Sequence, residues 1–170
     1  GTFSKTFLPG FRLGWIMAPV KIIERLEIVK QSADLCAPVF NQFIVARFIE
    51  KGYFDKNVER IKINYRNKRD NMIAAFEKYM PEGVTWTNPE GGLFLFVTLP
   101  EGYDTSELFR IAINEDVAFV IGEAFHCDGS GKNTLRINFS YMEETRAEEG
   151  VRRLANAIRK MMQDKKAKGQ

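Results

Sequence analysis

The sequence predicts an α/β fold, and two features of its apolar pattern carry that prediction. Apolar residues recur at helical spacing through most of the first half and again near the C-terminal end. Between Gly83 and Ser140 they fall instead into short runs and alternations of strand period. The composition supports a packed core, with 45% hydrophobic and 28% charged residues in a chain of 170. That length holds one ordinary domain, or a small domain with part of another.

Taken in order, residues 12–18 (RLGWIMA) read as a mostly apolar strand closed by Pro19, which cannot donate to a ladder. Ile22, Ile23, Leu26, Val29 and Ala33 then mark a helix. A second amphipathic segment uses Phe40, Phe43, Ile44 and Phe48 and stops at Gly52. Asp55 offers an N-cap to the longest helix, whose stripe runs through Val58, Ile61, Tyr65, Met72, Phe76 and Tyr79 to Pro81 and Gly83.

Strands are expected at 84–86, 93–99, 117–121 and 134–140. Asp104 and Glu107 form a capping box for a short helix reaching Ile113, because their spacing lets each side chain answer a free backbone donor of the other. Val151, Leu154, Ile158 and Met161 give a closing helix its apolar face. The boundary is expected near Asp55, dividing the chain into 1–54 and 55–170.

Composition narrows the function. The formal charge of +3 comes largely from Lys160, Lys165, Lys166 and Lys168, a solvated helix end rather than a nucleic-acid surface. Cys36 and Cys127 have no metal-ligand spacing, so no metal site is expected and reduced thiols in a cytoplasmic setting fit. No apolar run has the length to cross a membrane. His126 beside Cys127 has no third member to make a metal or nucleophile site, and reads as a loop histidine.

The chemistry is concentrated in the opening GTFSKTFLPGFRLGW. A primary amine is the side chain that can condense with a cofactor aldehyde, so Lys5 is the candidate nucleophile. Once freed, the same amine can move a proton, as base and then acid. Arg12 lies beyond a Pro-Gly turn and can bring a planar guanidinium to a phosphate, with Thr2 and Ser4 adding hydroxyls. Gly91 and Gly92 either let backbone approach a pocket closely or simply make a turn. Arg136 alternates with Leu135, Ile137 and Phe139, which puts it on the polar face of its strand with Thr134, Asn138 and Ser140.

The block Ser4-Lys5-Thr6 with Pro9-Gly10-Phe11-Arg12-Leu13-Gly14 resembles the cofactor-lysine motif of class I/II pyridoxal-phosphate-dependent aminotransferases, fold type I, in the branch of aromatic and 2-aminoadipate aminotransferases. The run from Asn88 through Gly91-Gly92 to Phe96, the segment from Val117, and Leu135-Arg136-Ile137-Asn138 match further family blocks in order. Ile121 stands where the family often has proline.

The resemblance implies that residues 1–54 are the C-terminal edge of the large cofactor-binding domain, contributing its last strand and helices, and that 55–170 are the small C-terminal domain. It implies pyridoxal 5'-phosphate as cofactor, Lys5 as its catalytic anchor, and Thr2, Ser4 and Arg12 as cofactor-binding. Arg136 would bind the substrate carboxylate and Gly92 would line the substrate pocket. The implied reaction moves an amino group between an amino acid and a 2-oxo acid, in a cytoplasmic homodimer. Two alternatives share the fold: the ligand-sensing domain of a winged-helix transcription regulator, and a lyase or synthase using the same cofactor. The chain opens on Gly1 inside the motif, so a piece of a longer protein is expected, inactive alone because the remaining walls of the cofactor site lie upstream.

Overall fold

A computed structural model describes residues 1–168, the side chain of Lys168 in the basic tail lying outside the described set. The chain forms two compact units, Gly1–Asn64 and Tyr65–Gln170. The first contains helices α1 (Val20–Ala33) and α2 (Val39–Glu50), and the N-terminal part of α3 (Tyr53–Tyr79). Both α1 and α2 start directly after a proline, Pro19 and Pro38, and neither has a side-chain cap. Proline supplies a fixed φ suited to a helix entry, which sets both starts without a hydroxyl or carboxylate.

Residues 12–18 do not form the expected strand. A strand exists where a neighbour satisfies its backbone groups, and here the pairing is limited to a single antiparallel bridge between Thr2 and Gly14. Leu13 is buried, whereas Trp15, Ile16 and Met17 are exposed. Helix α3 likewise begins at Tyr53 rather than after Asp55, which sits in its first turn. There the carboxylate complements the helix dipole instead of capping it.

The second unit is built on a four-stranded antiparallel sheet of order β1-β2-β4-β3, with β1 Thr85–Trp86, β2 Phe94–Thr98, β3 Val120–Ile121 and β4 Thr134–Asn138. Helices α4 (Thr105–Asn114) and α5 (Glu144–Lys168) complete it with the rest of α3. The predicted apolar faces meet in one core: Phe76 of α3, Leu95 and Val97 of β2, Leu108 of α4, Leu135 of β4, and Leu154 and Ile158 of α5 are fully buried.

Asp104 caps α4 by accepting from the Ser106 amide at 2.7 Å, one residue earlier than a capping box requires. No return bond from Glu107 is formed among the described residues, so the cap is one-sided. Thr105 is buried; its hydroxyl donates to the Thr134 carbonyl (2.8 Å) and its backbone N–H to the Lys132 carbonyl (2.8 Å), tying the start of α4 to the entry of β4. A buried hydroxyl so placed is satisfied rather than costly.

Candidate functional site

Within the first unit, the opening segment closes on itself. Phe3 N donates to Leu13 O at 3.0 Å and Trp15 N to Gly1 O at 2.9 Å, so both ends of the loop between them are fixed. Gly14 makes this approach feasible, because a Cβ there would lie 2.9 Å from the Gly1 carbonyl oxygen. The loop begins with a helical turn in which Phe7 N and Leu8 N donate to Phe3 O. Ser4, Lys5 and Thr6 ride on that turn. A 3-10 turn at Pro9–Phe11 follows, ending at Arg12 in the left-handed region (φ 52°).

This geometry gathers three of the sequence-derived residues. Arg12 Nη1 donates to Ser4 Oγ at 3.3 Å and to Pro9 O at 3.1 Å. Ser4 N donates to Thr2 Oγ1 at 3.1 Å, and Thr2 Oγ1 donates to Leu13 O at 3.3 Å. No carboxylate neutralises Arg12 among the described residues, so its guanidinium, with the Ser4 hydroxyl beside it, can donate to an anion such as phosphate, whereas the Thr2 hydroxyl proton is already given to Leu13 O. Lys5 is exposed on the same loop and forms no ion pair among the described residues.

Two asparagines hold the loop from behind. Asn57 Nδ2 of α3 donates to Thr6 O at 2.9 Å, and Asn41 Nδ2 of α2 donates to Phe11 O at 3.2 Å. They fix the residues adjoining Lys5 and Arg12. Sequence reasoning missed both, since a single asparagine on a helix gives no signal until the fold brings a carbonyl to it.

In the second unit, β2 and β4 pair with Phe96 opposite Arg136 and Phe94 opposite Asn138. Directly paired residues share a face, so Arg136 faces the same side as both rings. Its guanidinium carbon lies 4.0 Å from the ring centroid of Phe94 and 4.4 Å from that of Phe125. The face expected to be polar and wet is therefore aromatic around Arg136, and Thr134 beside it is buried. The alternation of one strand does not reveal what the neighbouring strand and loop present to it. Arg136 Nε is buried without a hydrogen-bond partner, and the guanidinium makes no ion pair among the described residues. A buried cationic donor left open costs free energy.

Gly92 has φ 81°, and nothing within 4 Å would meet a Cβ there. Gly91 and Gly92 lie in a bend that leads into β2. His126 Nδ1 contacts Ser130 Oγ at 3.0 Å, and its ring lies near Phe96. Cys36 and Cys127 are both free and exposed. Among the described residues no group of three or more metal-ligating side chains is present, and no helix is long and apolar enough to cross a membrane.

Comparison with known proteins identifies the family. Residues 1–154 match the family described as aminotransferase class I and II, and the chain belongs to that family. It is 49% identical over 162 residues to aromatic-amino-acid aminotransferase 1 of Thermococcus litoralis, covering 95% of this chain and 39% of that protein. It is 38% identical over 162 residues to 2-aminoadipate transaminase of Thermus thermophilus, covering 95% of this chain and 41% of that protein. The crystal structure of a multiple substrate aminotransferase from Thermococcus profundus superposes with a TM-score of 0.92 at 49% identity, over 96% of this chain and 41% of that one. The fold is thus that of the corresponding part of the fold-type I aminotransferases, and the chain spans about two fifths of the length of these relatives.

Proposed function

We propose that the complete protein is a pyridoxal-phosphate-dependent aminotransferase, and that Lys5 is its catalytic amine. The supporting observation is the closed loop that carries Lys5 together with the mutually hydrogen-bonded Arg12, Ser4 and Thr2. Arg12 and the Ser4 hydroxyl would hold the cofactor phosphate, Thr2 would steady Ser4 by accepting from its amide, and Lys5 would attach the aldehyde. The bound cofactor supplies an electron sink for the charge left when the substrate α-proton departs. Lys5, once displaced by the incoming amino group, would take that proton as base and return it as acid to the former aldehyde carbon, two atoms along. Asn57 and Asn41 keep the loop from drifting, which matters because proton transfer demands close placement.

Arg136 would bind the α-carboxylate common to amino acid and 2-oxo acid, since a guanidinium can offer two parallel donors where a lysine offers a point charge. A guanidinium held between two rings, with no carboxylate neutralising it among the described residues, supports this reading. Gly92 would lie at the edge of the same pocket. On this reading residues 1–54 are the edge of the large cofactor-binding domain and 55–170 the small domain, of a cytoplasmic homodimer. The 49% identity to an aromatic-amino-acid aminotransferase supports an enzyme over a regulator's sensing domain.

Borohydride reduction of the loaded complete protein, followed by peptide mass spectrometry, tests the assignment. The cofactor adduct should map to Lys5, and Lys5→Ala should remove it and lower transamination by on the order of a thousandfold. Arg12→Ala should leave the Lys5 adduct but weaken cofactor retention on dialysis. An adduct at another lysine, or transamination that survives Lys5→Ala, would refute the proposal.

A further inference from the structure

We propose that Phe94 and Phe125 are positioning residues for substrate binding, acting by fixing the guanidinium of Arg136; this rests on the reading of Arg136 as the carboxylate ligand. Arginine has several freely rotating bonds, and its two-donor grip on a carboxylate is useful only when the plane of the guanidinium is already set. Strand pairing fixes the backbone of Arg136, between Phe96 and Val120, but not the far end of its side chain. The rings of Phe94 and Phe125, with centroids 4.0 and 4.4 Å from the guanidinium carbon, are what contacts that end.

Aromatic rings suit this task better than carboxylates or carbonyls would. A ring attracts the cation through its quadrupole while accepting none of its in-plane N–H bonds, so the donors stay available to an incoming ligand. An acidic neighbour would hold the arginine equally well but would occupy the donors and cancel the charge. No acidic side chain pairs with Arg136 among the described residues.

The two rings come from different structural sources. Phe94 begins β2 and is fixed by the sheet. Phe125 closes a 3-10 turn, Gly122–Phe125, and is 44% exposed, so its place is not secured by core packing. It is braced by an edge-on contact with Phe96, whose ring centroid is 5.7 Å away and which is paired directly with Arg136. Next to it, His126 packs near Phe96 and contacts Ser130, which fastens the following loop. Phe125 is consequently the replaceable half of the pair, because a change at this exposed position leaves the core intact.

The test is steady-state kinetics of the complete protein carrying Phe125→Leu, Phe125→Tyr, Arg136→Ala, and Phe125→Leu combined with Arg136→Ala. Leucine keeps apolar bulk but removes the quadrupole, so Phe125→Leu should raise KM for both the amino acid and the 2-oxo acid by about fivefold to tenfold, the scale of a partly desolvated cation–π contact. Phe125→Tyr should restore it, primary amines lacking a carboxylate should show no change, and thermal unfolding should not shift. In the Arg136→Ala background Phe125→Leu should add nothing, since its effect runs through the arginine. If Phe125→Leu leaves KM at the parental value while Arg136→Ala raises it, the positioning role is wrong and the carboxylate reading stands. If Arg136→Ala leaves KM unchanged, the carboxylate reading itself fails. A KM rise from Phe125→Leu that persists without Arg136 would show the ring touching substrate directly and would overturn the inference.

Discussion

Helices α1 and α5 carry the same kind of apolar stripe and meet opposite fates. In α5, Val151, Leu154, Ile158 and Met161 are buried, and Leu154 has no exposed surface. In α1, Ile22, Leu26 and Val29 remain exposed, as do Phe40 and Phe43 of α2. The difference extends to the units that contain them. Residues Tyr65–Gln170 close a continuous core around a sheet, whereas Gly1–Asn64 buries Leu13 and Val45 and leaves Met17 87% and Phe40 74% exposed. A helical stripe therefore records that a face is built to be covered, and burial depends on what packs against it. Exposed apolar surface of this extent is uncommon on a monomeric domain, and the chain spans about 40% of the length of its relatives.

That contrast can be broken most directly by truncating the two stripes. In the present chain Leu154→Ala should lower the unfolding free energy by about 3 to 4 kcal/mol, as expected for a fully buried leucine. Leu26→Ala should change it by less than about 0.5 kcal/mol. Urea denaturation checks both, and equal losses would mean that α1 is as well covered as α5.

A smaller effect concerns polar anchoring in the second unit. Lys68 Nζ donates to the carbonyls of Ser140 (3.1 Å), Tyr141 (3.2 Å) and Met142 (3.0 Å), holding the segment that leaves β4. Replacing a charged donor shared by three carbonyls should cost about 1.5 to 3 kcal/mol. Lys68→Met should also accelerate amide exchange at residues 140–142, while Lys56→Met, on an exposed part of α3 in the first unit, should alter neither. If both variants behave alike, Lys68 is an ordinary surface lysine.

The smallest effect is one of pH. Hydrogen bonds from Arg152 and Arg153 hold the Glu149 carboxyl well below its usual range, to about 2. Its contribution to stability is present above the unfolded-state value of about 4.3. It is lost as the pH falls from there toward 2, when the folded carboxylate takes up its proton. Glu149→Gln should flatten the stability profile of the second unit across that window and change little at neutral pH. Added salt should weaken the effect, because the pair is open to solvent. A profile as steep as that of the parent would remove Glu149 from the acid response.

The elements legible in the sequence were those whose signal is local and repetitive. The stripes of α3 and α5, the change of period after Gly83 and the cap at Asp104 all appear where their residues placed them. Residues 12–18 failed as a strand because an apolar run specifies no partner, and the partner here is a single bridge at Thr2. Asp55 failed as a cap because the helix gained two further residues ahead of it.

Of the candidate site, the residue types were legible and their surroundings were not. Lys5, Arg12, Ser4 and Thr2 could be selected from one short block because amine, guanidinium and hydroxyl chemistry is carried by the residues themselves. The sequence determined that chemistry and the periodic faces, both properties of single side chains or of their spacing. Only the tertiary structure decided that Asn57 and Asn41 would reach the loop carbonyls, and that Phe94 and Phe125 would hold Arg136 against rings rather than leave it in water. Those contacts join residues from 11 to 51 positions apart, where attraction acts only after folding has closed the distance, so no local pattern in the chain encodes them.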